Sequence, residues 1–228
     1  MGFMRIRQFI KNQFIDQFVN LSFSQEGEDL ILARYFENKA KGFFIDIGAH
    51  HPKKYSNTYK FYKTGWRGIN VDAMPGSMEE FKAVRPDDIN LEVPVSDVNT
   101  RLTYFIFNET ALNTLDSDEA KLKNEIDGYN IVREVELETV RLDELLLKHL
   151  PKNITNIDFM TIDVEGLDLQ VLKSNNWAKY RPELVLVEEL RADLETVMLK
   201  SPVFAYMKEQ EYSLICRSYN TSFYRANN

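Results

Sequence analysis

The strongest constraint on folding is a pair of short apolar runs that each close on an acid. Residues 43–48 read Phe43, Phe44, Ile45, Asp46, Ile47, Gly48, and residues 68–72 read Gly68, Ile69, Asn70, Val71, Asp72. Later, residues 157–163 end in Asp163 and residues 183–188 end in Glu188. Runs this short and this apolar are buried on both faces, which is the signature of parallel strands with helices packed above and below. In such an open α/β sheet the ligand crevice lies beyond the carboxyl ends of the strands. A glycine after the first strand lets backbone approach a ligand, and an acid ending the second can grip a ribose. The chain is therefore predicted to bind a nucleoside-type cofactor.

The intervening segments fit that alternation. A helix is predicted from Ser24 to Phe36, another over 55–64, and a short one over 77–84, ended by Arg85 and Pro86. Residues 88–97 read as the third strand, and 101–107 as an added antiparallel strand. The polar stretch 108–130 reads as a loop or loose helix near the cleft mouth, the kind of segment from which lids are made. A strand over 132–140, helices over 142–149 and 167–174, and a closing pair of strands between 212 and 224 complete the pattern. His149 falls at the end of one of those helices and reads as structural. The fold class is thus α/β, Rossmann-like, with a mostly parallel seven-stranded sheet, a C-terminal antiparallel strand and N-terminal helices. No repeat or linker interrupts it, so 1–228 reads as one domain, with a catalytic core over 23–228.

Ile6, Phe9, Ile10, Phe14, Ile15 and Phe18 recur at helical spacing near the N-terminus. Lys11, Asn12, Gln13 and Asp16 break what a signal sequence would need as its apolar core. The helix over 1–22 is read as packing on the domain, making a homodimer seam, or lying on a membrane surface; no membrane-spanning segment is expected. The net charge of −7 and the lack of a Lys/Arg block argue against a nucleic-acid partner. The single cysteine, Cys216, rules out a disulfide framework, and the expected location is the cytoplasm.

Dinucleotide binding would need further glycines where Ala49, His50 and His51 stand. The run from Ile45 to Gly48 instead resembles the first motif of class I methyltransferases. Five motifs follow in register: Ser24, Gln25, Gly27, Glu28 and Asp29; then 44–49; then Ser56, Asn57 and Thr58; then Val71, Asp72 and Pro75; then Ile162, Asp163, Glu165 and Gly166. Together they resemble the FkbM family of S-adenosylmethionine-dependent O-methyltransferases. The resemblance implies that Asp46, Gly48 and Asn57 line the methionine end of S-adenosyl-L-methionine and that Asp72 holds the ribose. It places Ser96 and Asp97 beside the adenine, and has Gln25 and Asp29 close the pocket.

Methyl transfer to oxygen needs alignment of acceptor and methyl group, and help in deprotonating a weakly acidic hydroxyl. Asp163 is the leading catalytic candidate. If its strand neighbours 183–188, then Asp163, Glu188 and Glu189 would offer hard oxygen ligands for Mg²⁺ or Mn²⁺, as in the macrolide-sugar O-methyltransferases they resemble. His51 is the second candidate base, chosen over His50. Tyr55 and Tyr59 read as core or as a stacking surface for a sugar or a nucleotide base. The resulting expectation is methylation of a sugar hydroxyl, on a nucleotide-activated sugar or a surface polysaccharide precursor such as capsule or lipopolysaccharide. Methylation of a small-molecule natural product, a non-catalytic S-adenosylmethionine binder and a nicotinamide oxidoreductase are the alternatives.

Overall fold

The computed structural model describes residues 18–190 and 192–227; the predicted N-terminal helix lies outside them over residues 1–17, and residues 18–22 are not helical. Helix α1 (Glu28–Tyr35) precedes β1 (Phe43–Ile47), α2 (Tyr59–Thr64), β2 (Arg67–Asp72), α3 (Ser77–Val84) and β3 (Ile89–Glu92). A hairpin, β4 (Arg101–Phe107) and β5 (Ile131–Glu138), brackets a 3₁₀ turn at Thr110–Leu112 and α4 (Ser117–Asn124). Then come α5 (Leu142–His149), β6 (Phe159–Ile162), α6 (Asp168–Lys173), β7 (Leu184–Glu188), α7 (Leu194–Lys200), α8 (Pro202–Glu209), β8 (Tyr212–Arg217) and β9 (Thr221–Ala226).

The seven-stranded sheet runs β3-β2-β1-β6-β7-β9-β8, with β4 and β5 pairing separately. The first five strands are parallel, and β9 runs antiparallel to β7. Strand parity assigns the two cores. Phe43, Ile45, Ile47, Met160, Ile162, Val185 and Val187 face one layer with Leu142, Leu146 and Met207. Phe44, Phe159, Leu184 and Leu186 face the other, with Leu32, Phe36 and Trp66. Period-2 alternation within a fully buried strand makes both faces apolar, as the sequence runs predict. Because β1 pairs with β2 on one side and β6 on the other, the chain order reverses there, and the crevice opens beyond Ile47.

Three boundaries differ from the sequence reading by four residues or more; one is that of α2, which starts at Tyr59 instead of residue 55. The third strand ends at Glu92, not residue 97: Val93 N still donates to Asp72 O (2.9 Å), but Pro94 has no N–H to continue the ladder. Helix α1 starts at Glu28, behind Gly27 at φ +88°. Ser24 is not the N-cap residue, but its Oγ accepts from the first-turn Asp29 N (3.2 Å), and residues 22–24 wrap around the Asp29 carboxylate, which accepts from Ser22 Oγ (2.6 Å), Phe23 N (2.8 Å) and Ser24 Oγ (3.1 Å).

Candidate active site

A cavity of about 500 Å³ lies beyond the ends of β1, β2 and β6, lined by Gly48, Asp72, Met74, Val93, Tyr104 and Asp163 among others. Its floor depends on Gly48. This residue sits at φ +83°, donates to Val71 O (2.9 Å) and lies so close to β6 that a Cβ would meet Asp163 O at 1.7 Å. Only glycine combines that backbone conformation with that approach. The loop it starts continues through His50 (φ 51°) and Tyr55 (φ 59°), both on the cavity wall.

Asp72 ends β2 with its carboxylate engaged by two backbone donors, His50 N on Oδ2 and Met74 N on Oδ1, each at 2.8 Å. Burial raises its pKa, and those two amides oppose the rise. Each oxygen accepts one bond and so retains acceptor capacity toward the cavity. Gln25 lines the same cavity from the loop before α1.

The opposite wall is acidic. The register of β6 on β7 aligns Ile162 with Val187, so Asp163 and Glu188 follow side by side on the same face. With Glu165 they place three carboxylate oxygens within 4.8 Å of one another. Burial pushes the Asp163 carboxyl well above its ordinary range, and the neighbouring Glu188, Glu165 and Asp168 push it further. Burial, with Glu165 and Asp168, pushes Glu188 up to about 8. One buried oxygen, Asp163 Oδ1, has no hydrogen-bond partner among the described residues. The turn that delivers Glu165 is held by Asp168, whose carboxylate accepts from Val164 N (3.1 Å) and Gly166 N (3.3 Å). Glu165 itself takes φ 55° and Gly166 φ 116°. From above, α4 sends down the buried Lys123, whose Nζ pairs with Glu165 Oε2 at 2.6 Å.

Several predicted residues are placed elsewhere. Glu189 has the opposite strand parity from Glu188, and its carboxylate accepts from Ser201 Oγ and from Tyr224 OH (2.7 Å) on the far side of the sheet. Glu165 takes its place in the cluster. Asp46 lies on the same face as Asp72 and Asp163 but one residue inside the end of β1, beneath α2, where it accepts from Thr58 Oγ1 (2.6 Å) instead of reaching the cavity. Asn57 donates to Thr161 Oγ1 (3.0 Å) on that same face, and like Asp46 does not line the cavity. Asp29, in the first turn of α1, has its carboxylate engaged by residues 22–24, as described above, and does not line the cavity.

Ser96 and Asp97 fall past the end of β3, where Val95 bridges Val140; Val93, Pro94 and Val95 line the cavity in their stead. His51 lines the cavity, but its Nδ1 accepts from Lys53 N and Lys54 N (2.9 Å each) and its Nε2 sits 3.2 Å from Glu80 Oε1. With its acceptor nitrogen folding the loop, His51 has no lone pair free for a substrate proton. His50 is the more enclosed imidazole, its pKa lowered by burial against the raising influence of Asp72. Tyr59 packs edge-on against Phe23 (4.8 Å), whereas Tyr55 reaches the cavity.

The family model described as the methyltransferase FkbM domain matches residues 46–214, a span that holds Gly48, Asp72 and the whole carboxylate cluster. The chain belongs to the FkbM methyltransferase family. A solved structure of methyltransferase FkbM from Methylobacillus flagellatus KT is similar to 93% of this chain and 46% of its own length, at 10% identity and a TM-score of 0.47. This FkbM-family chain thus spans about half the length of that protein. No curated protein matches it. No helix among the described residues is long and apolar enough to cross a membrane.

The FkbM site contains two residues that sequence reasoning left without a role, Glu165 and Lys123. Glu165 carried a signal, standing two positions after a strand-ending acid and just before a turn glycine. Lys123 carried none, because it lies 42 residues from its partner on a helix of mixed polarity.

Proposed function

We propose that the protein is an S-adenosylmethionine-dependent O-methyltransferase acting on a sugar hydroxyl. The acceptor is a nucleotide-activated sugar or a surface polysaccharide precursor, and the work is done in the cytoplasm by a single catalytic core over residues 23–228. The observation that carries this reading is that one cavity has the Gly48 turn and Asp72 on one wall and Asp163 and Glu165 on the other, with Glu188 grouped beside those two carboxylates. In this reading Asp72 accepts hydrogen bonds from the ribose hydroxyls, Gly48 admits the methionine end, and Gln25 and Val93 to Val95 flank the rest.

The three carboxylates with their unpartnered Asp163 Oδ1 suit Mg²⁺ or Mn²⁺, which favour hard oxygen donors. A divalent cation held there supplies Lewis acidity that lowers the pKa of an acceptor hydroxyl. The chain's own residues hold and move the proton. With the cation bound all three carboxylates would be ionised, and Asp163 would take the proton of the hydroxyl as its oxygen attacks the sulfonium methyl and S-adenosylhomocysteine leaves. His50, half-enclosed and kept neutral by burial, and Tyr55 border the space left for the acceptor.

The acceptor class rests on family analogy, and a small-molecule natural product is the second candidate. Release of S-adenosylhomocysteine, measured across a panel of nucleotide sugars and glycan fragments with and without EDTA, tests acceptor and metal together. Turnover with a sugar that EDTA removes and Mg²⁺ or Mn²⁺ restores is the expected result. Turnover only with non-sugar acceptors would overturn the substrate class, and indifference to EDTA would overturn the metal.

A further inference from the structure

Lys123 is the one lysine or arginine paired with the Asp163–Glu165–Glu188 cluster among the described residues. Its side chain is 3% exposed, and its Nζ has two acceptors: Glu165 Oε2 at 2.6 Å and Leu112 O at 3.4 Å. A buried ammonium is tolerated only when paired, and here the pairing atom belongs to a carboxylate of the candidate cation site. The segment that carries Lys123 is fastened to the same turn at other points. Thr114 Oγ1 donates to Glu165 O (2.7 Å), and Glu119 and Asp116 pack against Gly166, where an added Cβ would meet Glu119 Cγ at 2.9 Å. Glu119, one helical turn before Lys123, also buries an oxygen with no partner.

We propose that Lys123 is the resident counter-ion of this cluster and competes with a divalent cation for Glu165, so that cation binding releases α4 from the turn at 163–166. The inference rests on the reading of the cluster as a cation site. Its physical basis is charge: an ammonium and a divalent cation cannot both sit against one small carboxylate group without strong repulsion in a poorly solvated site.

The test is calorimetric titration of the metal-free, full-length protein with Mn²⁺, with no cofactor present. Lys123→Met, which keeps the aliphatic stem, is expected to bind Mn²⁺ about tenfold more tightly than wild type, and Lys123→Arg to resemble wild type. Lys123→Gln gives the same comparison should the methionine variant fold poorly. In wild type, Mn²⁺ is expected to speed amide hydrogen exchange across residues 117–124. Binding by wild type with unchanged or weaker affinity in the neutral variants, or with unchanged exchange in 117–124, overturns the role of Lys123 while leaving the cation site intact. Absence of Mn²⁺ binding in every form overturns the cation site and this inference with it, whereas binding by the neutral variants alone supports the inference.

Discussion

At the scale of single residues, the site depends on one place where nothing larger than hydrogen fits and one where a charge is held against its preference. Gly48 meets the first condition. Gly48→Ala combines a positive φ with a backbone clash against Asp163 O, so it should lower stability by about 3 kcal/mol or more, read from urea unfolding. It should also abolish calorimetric binding of S-adenosylhomocysteine in whatever folded fraction remains. Asp163 meets the second. Asp163→Asn keeps the shape and removes the charge, and is expected to leave S-adenosylhomocysteine affinity nearly intact while cutting turnover roughly 10²-fold or more. A large loss of affinity instead would make Asp163 a cofactor ligand.

At the scale of elements, the β1–α2 loop is braced from below by a buried polar network. Arg85, at the end of α3, is fully buried, pairs with Asp88 at 2.8 Å and donates to Thr58 Oγ1 (3.0 Å), which in turn donates to Asp46. Asp88 also accepts from Gly68 N (3.0 Å), tying the network to β2. Removing one member of a buried ion pair strands the other, so Arg85→Met is expected to cost about 3–5 kcal/mol in unfolding free energy. Asp46 makes the network sensitive to pH: burial pushes its carboxyl up to about 6 from an ordinary 3.8, with Thr58 and Arg85 opposing. A raised acid stabilises the fold below about pH 4 and loses that contribution as pH rises through 6. Asp46→Asn lacks this term, so its stability relative to wild type should improve by about 3 kcal/mol between pH 4 and pH 7. Acids remote from Asp46 titrate alike in both proteins and cancel from the comparison, leaving Asp72 and Asp88, which feel its charge, to contribute smaller terms.

At the scale of the whole molecule, a ligand that binds only the folded state raises the melting temperature by mass action. S-adenosylhomocysteine at a hundred times its dissociation constant should add about 2.7 kcal/mol, or roughly 5–10 °C for a chain this long, whereas NADH at equal concentration should add nothing. The buried runs ending at Asp46, Asp72, Asp163 and Glu188 were enough to predict the parallel sheet, its switch point and the edge where ligands gather, because burial on both faces and the strand-end rule are local properties of the chain. Strand parity, equally local, would have separated Glu188 from Glu189, since alternate side chains point to opposite faces. Pro94, read as a ladder breaker, would have shortened the third strand. Other features came only with the three-dimensional structure: the pairing of Lys123 with Glu165 across 42 residues, the two loops that take up the hydrogen-bonding capacity of His51 and of Asp29, and the close approach of Gly48 to Asp163. The Lys123 and Gly48 contacts join segments far apart in sequence, whereas those of His51 and Asp29 are local and depend on the backbone turn that brings the amides to the side chain. Periodicity determines which face a residue is on, and only packing decides what meets it there.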